Sequence, residues 1–192
     1  MKIIASLILT FAMFFVGAPA VAQLSYNETT DGELSDDLSN PDELVFGIGV
    51  NTIAGNVGST NGTGSTVGTD ADFFTFSLAP GQSVDSISIA RTGGGFQSFI
   101  GYVAGTSFPG ASTDDLGAGD LDGNALFSDG ATLLPGGLLS SPLTEGDHAF
   151  WIHETNGSID YAISLNVVPE PASAILLVGL GVGVAALVRR RR

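Results

Sequence analysis

The stretch Asp147–Val167, DHAFWIHETNGSIDYAISLNV, decides the fold. Asn156-Gly157 is a two-residue turn signal, because a type I′ turn needs positive φ at both central positions and Asn-Gly supplies it cheaply. On its far side Tyr161, Ile163, Leu165 and Val167 recur with the period of two that puts them on one face of a strand. On its near side Phe150, Trp151 and Ile152 make Asp147–Glu154 a second strand by β-propensity. The stretch is therefore a β-hairpin. His148 and His153 stand five apart in the near strand, an odd separation that sends them to opposite faces.

Upstream, the same period recurs in short runs. Asp72–Leu78 (DFFTFSL) places Phe74, Phe76 and Leu78 on one face and Phe73, Thr75 and Ser77 on the other. Ala79–Gln82 is a turn, Ser83–Arg91 a strand with Ile87 and Ile89 on one side, and Gln97–Ala104 another. Leu44–Val50 (LVFGIGV) reads as a strand, Asn51–Val57 as a second short one, and Ala125–Leu134 as one or two. Gly58–Thr69 and Gly105–Asn124 are Gly-rich loops, and Gln23–Glu43 is an acidic, extended lead-in with at most a short strand. Nothing between residues 23 and 168 has helical periodicity. The expectation is an all-β chain, an antiparallel β-sandwich. Asp70–Ser83 (DADFFTFSLAPGQS), with Leu143–Thr155 and Asp160–Val167, resembles the bacterial pre-peptidase C-terminal β-sandwich. That resemblance implies a secreted, jelly-roll-like accessory domain of the kind often bound to calcium or carbohydrate.

Both ends read as targeting segments. Lys2, the apolar run Ile3–Val16 and the small-x-small site Ala20-Val21-Ala22 make a signal peptide over residues 1–22, a signal helix cleaved before Gln23. After the ectodomain, 23–168, comes Pro169-Glu170-Pro171, whose two fixed φ angles make an extended hinge. Ala172–Val188 is uncharged. As a helix it spans about 26 Å, close to the ~30 Å hydrocarbon core. Arg189, Arg190, Arg191 and Arg192 then stop transfer and stay on the cytoplasmic side. The order V-P-E-P, apolar helix, arginine run resembles the PEP-CTERM sorting signal, also described as an ice-binding-protein C-terminal domain, a label that does not establish ice binding. The resemblance implies recognition of Pro169-Glu170-Pro171 by an exosortase, a membrane-embedded cysteine protease or transpeptidase. It also implies a bacterial envelope rich in exopolysaccharide. The chain is then exported, transiently anchored by its C-terminal helix, and passed to the surface or matrix.

Composition narrows the chemistry. Residues 23–168 hold 19 of the 20 acidic residues and one basic residue, Arg91, a formal charge of −18. Such a surface repels nucleic acid and anionic headgroups and attracts divalent cations. There is no cysteine, so thiol nucleophiles and zinc–cysteine or iron–sulfur sites are excluded. Two histidines on opposite faces, with no nucleophile-elbow sequence, give no triad. The chain reads as a non-enzyme. Asp120, Asp122 and Asn124 present oxygens at i, i+2 and i+4 as calcium ligands do, with Asp114, Asp115 or Asp129 as possible additions. Ala125 and Ala131 fail the EF-hand positions six and twelve, and an acidic loop without metal is the alternative. Asp70 and Asp72 are a second calcium candidate, and Trp151 is either a core residue or a sugar-stacking one. The functional expectation is a structural or adhesive envelope protein linked to exopolysaccharide or biofilm. The alternatives are a carbohydrate-binding or calcium-dependent module and, last, a polysaccharide hydrolase.

Overall fold

A computed structural model describes residues 21–58, 70–93, 98–109, 123–126, 131–134, 139, 142–154 and 157–170. Residues 1–20 and 171–192 lie outside them. So do most of the signal peptide, the 172–188 span and the arginine run. Among the described residues no helix is long and apolar enough to cross a membrane.

The chain is all-β. Its strands are β1 (Ser25–Asn27), β2 (Asp42–Glu43), β3 (Gly49–Gly58), β4 (Ala71–Leu78), β5 (Gln82–Gly93), β6 (Ser98–Ala104), β7 (Gly123–Leu126), β8 (Ala131–Leu134), β9 (Gly146–Glu154) and β10 (Ser158–Pro169), with one helical turn, α1 (Glu28–Asp31). They form two five-stranded sheets, ordered β1-β3-β10-β5-β8 and β2-β4-β9-β6-β7. The pairings are antiparallel except β1 with β3 and β2 with β4, which run parallel along the sheet edges. The opening hairpin is real in sequence but splits in space: β9 belongs to one sheet and β10 to the other. The two strands of the expected hairpin are thus not ladder partners of one another.

The inner faces close on one core. Ile53, Val57, Val84, Ile87, Ile89, Ile163 and Leu165 from the first sheet meet Phe74, Phe76, Ile100, Phe150 and Ile152 from the second. Phe74 and Phe76 stack on Phe150 at 5.6 and 6.0 Å between ring centroids. The second sheet is covered on its outer face as well. Phe73, Ala149 and Trp151 pack there with Leu38 and Phe108. This is why β4 carries aromatics on both faces: Phe73 stacks on its register partner Trp151 at 6.0 Å and meets Phe108 edge-on at 5.2 Å.

Two local expectations are corrected. Leu44–Ile48 is not strand, although Leu44 and Phe46 are buried while Val45 and Ile48 are exposed. The alternation records one covered face, but the backbone is held by a side chain. Buried Asn51 accepts from the N–H groups of Leu24 and Gly47 and donates to the carbonyls of Gly47 and Gly49. Local side-chain bonding of this kind displaces a ladder. The lead-in is also more than extended chain. Asn27 caps α1 by accepting from the Thr29 N–H at 2.9 Å, while its own N–H donates to Asp31 at 2.8 Å. Leu34 and Leu38 are then buried.

Candidate functional site

One cluster concentrates buried polar chemistry. The alternation of β4 that sends Phe74 and Phe76 inward sends Asp72 inward too, and Asp72 is fully buried. Across the sandwich, Tyr161 of β10 donates its hydroxyl to Asp72 Oδ2 at 2.5 Å, joining the two sheets. Asp72 Oδ1 has no hydrogen-bond partner among the described residues. The capped turn α1 swings Glu28 over the same spot, where its carboxylate accepts from the Asn56 N–H at 2.7 Å and the Leu34 N–H at 3.2 Å. Gly55, opposite Tyr161 in the register, makes room: a Cβ there would lie 2.3 Å from Glu28 Oε2 and 2.8 Å from the Tyr161 hydroxyl. Glu33 completes the set, and single ligand oxygens of Glu28, Glu33 and Asp72 lie within 4.8 Å of one another. A pocket lined by Asn27, Glu28, Glu33, Gly55, Asn56 and Tyr161 connects this spot to solvent.

Electrostatically the cluster is unbalanced. Burial pushes the Asp72 carboxyl up to about 9, with the Glu28 and Asp70 charges adding to it against the Tyr161 hydrogen bond. Burial raises Glu28 as well. Asp70 is pushed to about 7, again first by burial, then by Glu33 and Asp36. Asp70 also holds φ at 93°, a left-handed conformation uncommon outside glycine, where its carbonyl accepts from the Gly58 N–H at 3.2 Å. Tyr161 is raised well above its ordinary value by burial and by Asp72. Arg91 is engaged elsewhere, with Ser98 at 2.6 Å and Glu154 at 3.8 Å. At neutral pH the cluster therefore needs a proton or a cation. Its donors are oxygens without nitrogen or sulfur, the set that suits calcium or magnesium.

Of the residues named from sequence, Asp72 lies in the cluster, while Asp70, two residues before it, acts on it by charge without joining the three converging carboxylates. Glu28 and Glu33 were not anticipated: they sit in the lead-in, and only the parallel pairing of β1 with β3 carries α1 to β4. The calcium reading at Asp120 and Asp122 lies outside the described residues; Asn124 is in β7, opposite Gly101. His148 and His153 do lie on opposite faces. His148 faces Tyr102 and the Thr144 carbonyl at 2.9 and 2.8 Å, while His153 stacks on Trp151, and burial lowers both below the usual histidine range. Trp151 is 7 % exposed and sandwiched between Phe73 and His153, so its ring faces offer no sugar platform.

The sorting segment begins inside the fold. Pro169 is the last residue of β10, in register with Gln82, and the Glu170 N–H donates to the Gly81 carbonyl at 2.8 Å. Ala22 is exposed at the cleavage position; Ala20, Pro171 and Arg189–Arg192 lie outside the described residues.

No curated protein matches the chain. Among solved structures, the pre-peptidase C-terminal domain of a collagenase from Bacillus anthracis is similar at 14 % identity and a TM-score of 0.34, over 66 % of this chain and 93 % of that one. Residues 167–192 match the PEP-CTERM protein-sorting motif, so the chain carries, directly on the end of its last strand, the signal of an exported, exosortase-sorted protein.

Proposed function

We propose that this is a non-enzymatic envelope protein. Its β-sandwich acts as a structural or adhesive module of an exopolysaccharide-rich matrix, after processing at or near Pro169-Glu170-Pro171. The observation that carries the reading is the sorting motif beginning within the last three residues of β10, with no spacer. A domain delivered this way is itself the cargo. The buried, mutually distant histidines support the non-enzymatic part. Mass spectrometry of the mature protein from fractionated cells tests it. The expected product begins at Gln23, lacks Arg189–Arg192 and is found at the surface or in the medium. A mature product that keeps the arginines would sink the proposal.

A second reading is favoured by the Glu28, Glu33 and Asp72 cluster: a calcium-dependent module. The convergence of three carboxylates and the all-oxygen donor set support it. Those three side chains would hold the ion, whose charge would replace the proton on Asp72 and tie the lead-in to both sheets. Thermal melting with millimolar calcium against EGTA tests this, with a higher Tm in calcium expected and an unchanged one counting against it.

A further inference from the structure

We propose that the end of the sandwich bearing Val45, Ile48 and Val50 is a lipid-contact surface, resting on the neutral headgroup layer of the bilayer that holds residues 172–188. The large apolar side chains exposed among the described residues are Val21, Val45, Ile48 and Val50, at 50 to 62 %. All four gather at one end, and Val45, Ile48 and Val50 remain there once the chain is cleaved before Gln23. Val21 and Gln82 line the same groove as Leu44–Ile48. Gln23 donates to the Ile48 carbonyl, and Val50 and Gly49 pair with Asn166 and Val167 near the end of β10. Exposed apolar side chains scattered over a surface need no explanation, whereas a cluster marks a contact.

Chain connectivity names the contact. The described chain begins and ends here: Val21 and Ala22 lie beside Gly47, and Glu170, two positions before the 172–188 run, is bonded to Gly81. Only Pro171 lies between Glu170 and Ala172, two steps along the chain with a reach of about 7 Å at most. The headgroup layer on each side of the hydrocarbon is only about 5 to 7 Å deep. While the tail is anchored, this end therefore cannot stand clear of the headgroups. Valine and isoleucine give shallow apolar contact without a cationic term. Glu43 lines the groove and Glu170 closes the strand, so neutral rather than anionic lipid is the fitting partner. When the tail is processed the contact loses its tether, and a few aliphatic side chains do not hold a protein to lipid alone.

The proposal rests on anchoring by residues 172–188, and its test separates the two. The chain has no cysteine, so Ile48→Cys in the full chain can be labelled with an environment-sensitive fluorophore, with Thr92→Cys, at the opposite end of β5, as its control. Each is reconstituted in phosphatidylcholine–phosphatidylethanolamine vesicles with doxyl-labelled lipid. Position 48 is expected to shift to the blue and lose emission to the lipid quencher, and position 92 to do neither. Flotation with the vesicles but equal, unquenched emission at both positions overturns the lipid contact and leaves anchoring intact. A blue shift without quenching, together with a dimer mass, assigns the patch to a second copy and also overturns it. Failure to float removes anchoring and the proposal together.

Discussion

Replacing Asp72 by asparagine should stabilise the metal-free protein at neutral pH. Asp72 is fully buried, and burial holds its carboxyl at about 9 against an ordinary 3.8. Between those values the folded chain keeps a proton that the unfolded chain has released. Stability contributed by this group is therefore greatest at and below about pH 4 and falls as pH rises toward 9, by up to about 1.4 kcal/mol per pH unit. At pH 7 keeping that proton costs about 4 kcal/mol. Asparagine has the same shape, still accepts the Tyr161 hydroxyl and carries no such cost. In melts of residues 23–170 in EGTA, Asp72→Asn should raise Tm at pH 7 by roughly 10 °C. It should leave Tm nearly unchanged at pH 4 and flatten the dependence between. With calcium the order should invert: the wild type gains and the variant, lacking one ligand charge, does not. An Asp72→Asn protein less stable than wild type at pH 7 in EGTA, with the pH slope intact, would refute the reasoning.

Two other substitutions probe how the site and its neighbours are held. Asn51→Ala should lower stability by about 3 kcal/mol or more in denaturant melts, because it leaves the buried N–H of Gly47 and the Gly47 carbonyl unpaired; a loss under about 1 kcal/mol would mean water replaces the side chain. Gly55→Ala should cost about 1 to 3 kcal/mol. The new methyl would meet Glu28 Oε2 and the Tyr161 hydroxyl, so the calcium response should fall with the stability. A variant that keeps full response would place the ion elsewhere.

Strand content was legible because β-period alternation is a local signal. Phe74, Phe76 and Leu78, and Tyr161, Ile163, Leu165 and Val167, face inward as their spacing says. The hairpin reading of Asn156-Gly157 captured the reversal but not that β9 and β10 part into different sheets, which depends on partners 50 to 100 residues away. Leu44–Ile48 misled because burial alternates there without a ladder. The acidic site was half visible. Asp72 shares its strand with obvious core residues, but Glu28 and Glu33 look like any solvated acids until a parallel edge pairing brings them to it. Outer-face cover over Trp151 was equally hidden, since Leu38 and Phe108 come from segments with no strand signal.

The central position of β10 has a consequence for assembly. The first sheet is ordered β1-β3-β10-β5-β8, so the last strand in the chain is the middle of the sheet. Until it arrives, β3 and β5 have no common neighbour, and the pairing of Ser158–Val167 with Gly58–Gly49 must close a loop of about a hundred residues. As the chain emerges from its N-terminus the sheet therefore stays open until the residues that begin the sorting motif are available. Pro169 reaches its place opposite Gln82 only when that strand has docked. A sorting enzyme that meets the motif held in this register meets a finished domain, while an unfinished one offers the same residues on a slack chain. The fold thus ties the position of the first residues of the sorting motif to completion of the sheet.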